Sequence, residues 1–224
     1  MEVYFERGTG DGGMGRLTEV SPTVPPPRRV DERIPSVRAV LFSCAVLAAS
    51  TALADGNGHV DFFVGQKALD ADWDPIDRQG QFGVVMSFGR DEWPIHIAAD
   101  VLVSAKEGTL FGPIDVSGGT FEAAAGVRKI WGQKAFHPYA GAGIAIVGAG
   151  IELSSPVGDA DDSDATIGPW VGGGIFWRLG TRFDIGLDVR WSTGKVDLDF
   201  GGGVTAPDLD AGGLHYGLLL GFGW

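Results

Sequence analysis

The chain has 224 residues, with 17 Lys+Arg against 29 Asp+Glu and a net charge of −12. That length is enough for one domain with a substantial interior, and the acidic balance argues against nucleic acid as a partner. A single cysteine, Cys44, rules out an intrachain disulfide. The 37 glycines, more than twice the average usage of about 7%, disfavour helices and suit closely packed strands.

Residues 1–33 read as an unstructured extension, polar and rich in Gly and Pro, with Pro25-Pro26-Pro27 followed by Arg28-Arg29. Residues 34–54 read as a secretory signal peptide. A basic start at Arg38 leads into the apolar run Ala39 to Ser50, and Ala52-Leu53-Ala54 supplies the small-residue site, so cleavage is expected after Ala54. The run is too short to cross a bilayer as a helix, which takes about 20 residues. Cys44 is a small apolar residue of this run. Signals normally begin a chain, so the extension suggests a start assigned too early, with Val30 or Val37 as the true initiator. Residues 1–54 hold six basic and six acidic residues, so the whole net charge belongs to the exported part, residues 55–224.

Eight segments of this part alternate with a period of two, the signature of strands. They run over 59–67, 81–89, 94–105, 120–131, 136–151, 167–179, 182–193 and 212–224. The seventh alternates most sharply: Phe183, Ile185, Leu187, Val189 and Trp191 against Asp184, Gly186, Asp188, Arg190 and Ser192. Segments of about ten residues fit tilted strands crossing a bilayer. Connections after the even segments are short, whereas 68–80, 106–119, 152–166 and 194–211 read as long Asp/Gly/Pro-rich loops. Short turns on one side and long loops on the other mark an outer-membrane barrel, with the short turns periplasmic. A soluble lipocalin-like barrel also alternates. Aromatics near strand ends (Trp93, Trp131, Phe136, Trp177, Phe183, Trp191, Trp224) favour the membrane version, because aromatic belts mark bilayer interfaces.

The fold expected is therefore all-β, an eight-stranded antiparallel up-and-down transmembrane barrel. With the signal, the eight segments and the closing LLLGFGW, the chain resembles the small outer-membrane barrels of the OmpA/OmpX-like and opacity-type surface proteins. That resemblance implies a cell outer-membrane location. It also implies recognition of Leu218, Leu220, Phe222 and Trp224 by the barrel assembly machinery, with outer-membrane lipid as the other partner. A monomer is expected.

With the apolar faces on lipid, the inward residues include Asp61, Lys67, His96, Asp100, Glu122, Arg128, Asp184, Asp188, Arg190 and His215. Eight strands enclose a space that side chains just fill, and buried charges demand partners. A paired polar plug around Glu122, Arg128, Asp184, Asp188 and Arg190 is expected, instead of an open channel. The acidic stretch Gly158 to Asp164 lacks the spacing of an EF-hand. No local signature joins His96, His137 or His215 to Ser104, Ser117 or Ser192. No catalytic residue, metal or cofactor is assigned. The function expected is structural or surface-interactive, carried by the long loops. A narrow pathway for small solutes or hydrophobic compounds is the first alternative, and a lipid acyl hydrolase or transferase the second.

Overall fold

In the computed structural model, residues 57–90, 92–109, 115–132, 135–155, 158–200 and 204–224 are described. The extension, the signal peptide and its cleavage site at Ala54 lie outside them. Among the described residues ten strands form: β1 (Asn57–Ala68), β2 (Arg78–Gly89), β3 (His96–Thr109), β4 (Asp115–Ile130), β5 (Phe136–Ser155), β6 (Gly158–Leu179), β7 (Phe183–Ser192), β8 (Lys195–Asp199), β9 (Thr205–Asp210) and β10 (Gly213–Gly223). Eight of them close a barrel in the order β1-β10-β7-β6-β5-β4-β3-β2, and β8 and β9 form a separate two-stranded sheet. Every barrel pairing is antiparallel, and β1 meets β10 in the register His59↔Gly223 to Ala68↔Leu214.

Alternation sets the two faces of the wall. Phe62, Val64, Phe82, Ile97, Val127, Ile144, Ile167, Val171, Leu187, Val189 and Leu218 point outward and are exposed, forming the apolar band that suits lipid. Trp93, Trp131, Phe136, Trp177, Phe183 and Trp224 ring the end that carries the short turns. Gly65 and Gly217, paired across the β1–β10 seam, leave room for the Phe63 ring, which lies within 3 Å of where a Cβ would sit on either.

Three of the expected long loops are largely strand. β3 and β4 continue to Thr109↔Asp115, and β5 and β6 continue to Ser155↔Gly158, so the acidic stretch 158–164 lies on β6. The segment 194–211 contains the β8–β9 hairpin. The connection 68–80 is partly strand, since β2 begins at Arg78, and it holds a one-turn 3-10 helix, Ala71–Trp73, with Trp73 and Ile76 buried. The strands outrun the segments read from sequence because the wall changes polarity. Within the lipid band the outside is apolar and the inside polar. Beyond it the inward residues Val116, Val147, Ala149, Ile151 and Leu153 are apolar, while the outward ones are small or polar, such as Ser117, Gly150 and Glu152. Period two persists, with its sign reversed on β4 and β5, whereas on β6 the inward parity carries Asp162 and Asp164, which meet β8.

Candidate functional site

The interior is packed in tiers. At the end with the short turns, Asp184 on β7 receives Arg178 through Nε at 2.8 Å and Nη2 at 2.9 Å, and His59 Nδ1 lies 3.0 Å from the same carboxylate. Phe63, Val85, Leu102, Tyr139, Phe176 and Leu219 form an apolar tier. Next, Asp100 on β3 holds two guanidiniums, Arg128 Nη2 at 3.0 Å and Arg190 Nη2 at 2.5 Å, and also accepts the Met86 N–H at 3.1 Å. Arg128 Nη1 donates to Ser87 Oγ at 2.7 Å. Each arginine covers a ring, Arg190 over Trp170 at 4.6 Å and Arg128 over Tyr139 at 5.2 Å, and the Tyr139 hydroxyl donates to Asp188.

Further outward, Lys67 Nζ donates to Glu122 at 2.7 Å, Thr120 at 2.8 Å and the Ala211 carbonyl at 2.7 Å. Ser192 Oγ donates to Glu122 at 2.9 Å, and His215 Nε2 lies 3.2 Å from that carboxylate. An apolar tier closes this end. Trp73 and Ile76 from the 3-10 connection and Val196, Leu198 and Ala211 from the hairpin region pack with Val116, Val147 and Trp170.

All five residues expected in the plug are buried inside the barrel, at 0–3% exposure. They do not form one cluster. Arg128 and Arg190 share Asp100, whereas Glu122 belongs with Lys67 and His215, Asp184 with Arg178 and His59, and Asp188 with Tyr139. Arg178 escaped the sequence reading, although alternation with Trp177 and Leu179 places it inward. Leu218, Leu220, Phe222 and Trp224 stand on the lipid side of β10.

Ser192 Oγ lies 3.0 Å from His215 Nε2, and His215 Nδ1 lies 2.9 Å from Gln81 Oε1. A serine, a histidine and an orienting amide therefore stand in a row that no spacing in the sequence reveals, with the Ser192 hydroxyl proton directed to Glu122. Ser192 and His215 are both at 0% exposure beneath the apolar tier, so no substrate reaches them in this conformation.

The outward end forms a crown. Its described residues, 69–78, 106–109, 115, 152–155, 158–164, 195–200 and 204–210, contain fifteen Asp or Glu and three Lys or Arg, which concentrates there a charge equal to that of the whole chain. Carboxylates also build the crown. Asp164 Oδ2 accepts the Asp197 N–H at 2.9 Å and Asp162 Oδ2 the Asp199 N–H at 2.6 Å, so two side chains of β6 dock the edge of β8 where a neighbouring strand would. Asp210 accepts from Thr193 Oγ1 and from the N–H groups of Gly194 and Gly212. Donation from the Asp197 and Ala165 N–H groups holds the Asp164 carboxyl below the ordinary range for Asp. Among the described residues no grouping of three or more His, Cys, Asp or Glu is placed to hold a metal ion.

This architecture is that of the small eight-stranded outer-membrane barrels. Among solved structures, the attachment invasion locus protein Ail of Yersinia pestis, in complex with the heparin analogue sucrose octasulfate, matches at a TM-score of 0.54 and 15% identity. The match covers 76% of this chain and 99% of Ail. A second Ail structure gives 0.50 at 13% identity, covering 75% and 97%. Neisserial surface protein A gives 0.44 at 15%, covering 76% and 96%. No protein-family model and no curated protein matches the chain.

Proposed function

We propose that this chain is an outer-membrane protein, monomeric and non-enzymatic, whose role is to present the ordered acidic crown at the cell surface. The crown carries the reading: an extended β5–β6 hairpin and a docked β8–β9 hairpin stand above the lipid band and concentrate negative charge. The barrel below acts as a support. Its tiers of buried side chains argue against a solute pathway, and large stable conductance steps in a planar bilayer would refute that. The lipid side of β10, with Leu218, Leu220, Phe222 and Trp224, is the surface offered to the assembly machinery. Surrounding outer-membrane lipid is the other partner.

The residues described include no cysteine, which gives a clean test of orientation. In intact cells, Asp208→Cys should react with a membrane-impermeant maleimide and Arg182→Cys should not. The reverse pattern overturns the proposal. Ail was solved with a polyanion bound. This crown has the charge that repels polyanions, so the purified protein should pass a heparin column unretained at low salt.

The Ser192–His215–Gln81 contact favours a second reading, an acyl hydrolase working after the crown opens. Release of fatty acid from phospholipid or lipid A by the purified protein, abolished in Ser192→Ala, would establish it. We expect no release.

A further inference from the structure

Charge is also uneven at the opposite rim. Lys129 stands on the lipid side of β4, where residues of its parity, Val127 and Ala125, are exposed. It pairs in register with Ala140 and lies two residues closer to the bilayer centre than Trp131, about 7 Å along the strand. No ion pair to Lys129 forms among the described residues. A cation at this depth is costly unless it turns back to the interface and meets a counter-charge. It does turn back: its Nζ lies 5.8 Å from the Trp131 ring centroid.

The neighbouring strand end repeats the arrangement. Arg90 lies 5.9 Å from the Trp93 ring centroid, and both tryptophans are exposed, at 44% and 46%. The β3–β4 register, Ile97↔Val127 and His96↔Arg128, carried three steps beyond the latter sets Trp93 at the level of Trp131. Two cations and two rings therefore share one stretch of the inner rim. On the bilayer side of it the wall is shallow. Ala140, Ala142, Ala125 and Ala99 form a diagonal trough between the exposed Ile97 and Val127 on one side and Ile144 on the other.

We propose that Lys129, Arg90, Trp93 and Trp131 clamp the phosphate of an anionic phospholipid of the inner leaflet, whose acyl chain lies in the alanine trough of β3, β4 and β5. The phosphate supplies the counter-charge that Lys129 lacks, the rings sit at headgroup depth, and small side chains give the chain a recess. The proposal rests on the membrane placement above, which the cysteine-labelling test judges separately.

The test is native mass spectrometry of the full-length protein, released from nanodiscs holding equal amounts of phosphatidylglycerol and phosphatidylcholine. The wild type should retain phosphatidylglycerol in excess. Removing Lys129 or Arg90 (Lys129→Gln, Arg90→Gln) should lower that excess about fivefold each, the worth of one cation facing an anionic lipid. Lys129→Arg should keep the excess, as should Arg182→Gln on the β6–β7 turn. Ala125→Phe should lower retention of both lipids without changing their ratio. Heat-shifted gel migration confirms folding, and Lys129→Met replaces Lys129→Gln if glutamine disturbs it. No preference in the wild type, an unchanged preference in the Lys129→Gln/Arg90→Gln double variant, or an equal loss in Arg182→Gln overturns the clamp.

Discussion

At 1% exposure, the single carboxylate of Asp100 balances two guanidiniums, those of Arg128 and Arg190. Removing one partner of a buried ionic group leaves uncompensated charge, at a cost of about 3–5 kcal/mol. Asp100→Ala should lose stability of that size in urea unfolding of the detergent-refolded protein. Ser192→Ala, which deletes one hydroxyl from a cluster in which Glu122 keeps Lys67 and His215, should lose about 1 kcal/mol. Equal losses for the two would contradict the tiered interior. Alternation alone places Asp100, Glu122 and Arg190 inside. It does not tell which residues meet, since Lys67 reaches Glu122 across 55 residues of sequence and the tilt of the closed barrel decides the pairing.

The β8–β9 hairpin depends on carboxylates standing in for a strand. Asp162→Ala with Asp164→Ala should speed amide exchange over Lys195–Asp199 while leaving β7 protected. Acid should act the same way, and the sign follows from Asp164. Its carboxyl titrates below the ordinary range. Its contribution to docking is therefore complete above an ordinary Asp pKa of about 4. The contribution fades only as the pH falls through the lower folded-state value. Exchange in the hairpin, corrected for intrinsic rates, should be flat from neutrality to about pH 4 and rise below it. A rise beginning near pH 6 would point to another group. The eight wall strands are legible in sequence because each has an apolar outer face. The hairpin is less so. Val196 and Leu198 alternate with Lys195, Asp197 and Asp199, but six residues between glycines look like loop to a search for bilayer-length segments. The ends of β5 and β6 escape the same search, since their outward residues, such as Gly150, Glu152, Ser163 and Ala165, turn small or polar where lipid stops.

For the whole molecule, the join between first and last strands decides whether the rest is in place. Gly58 and Trp224 exchange backbone hydrogen bonds at 3.2 and 3.0 Å, and Phe222 pairs with Val60 and touches Phe183. Deleting Phe222–Trp224 should sharply reduce heat-modifiable protein in the membrane fraction, and unchanged levels would count against it. Glu122 gives the join a wider meaning. Its partners Lys67 and His215 face each other in register across the seam, one from β1 and one from β10, while Glu122 comes from β4 on another part of the wall. A sheet still open at that edge offers this carboxylate neither Lys67 nor His215 in its final place. Closure and the satisfaction of Glu122 are then one event, and the barrel carries an internal mark of its own completion: a carboxylate in the middle of the wall finds both partners only when the last strand lies beside the first.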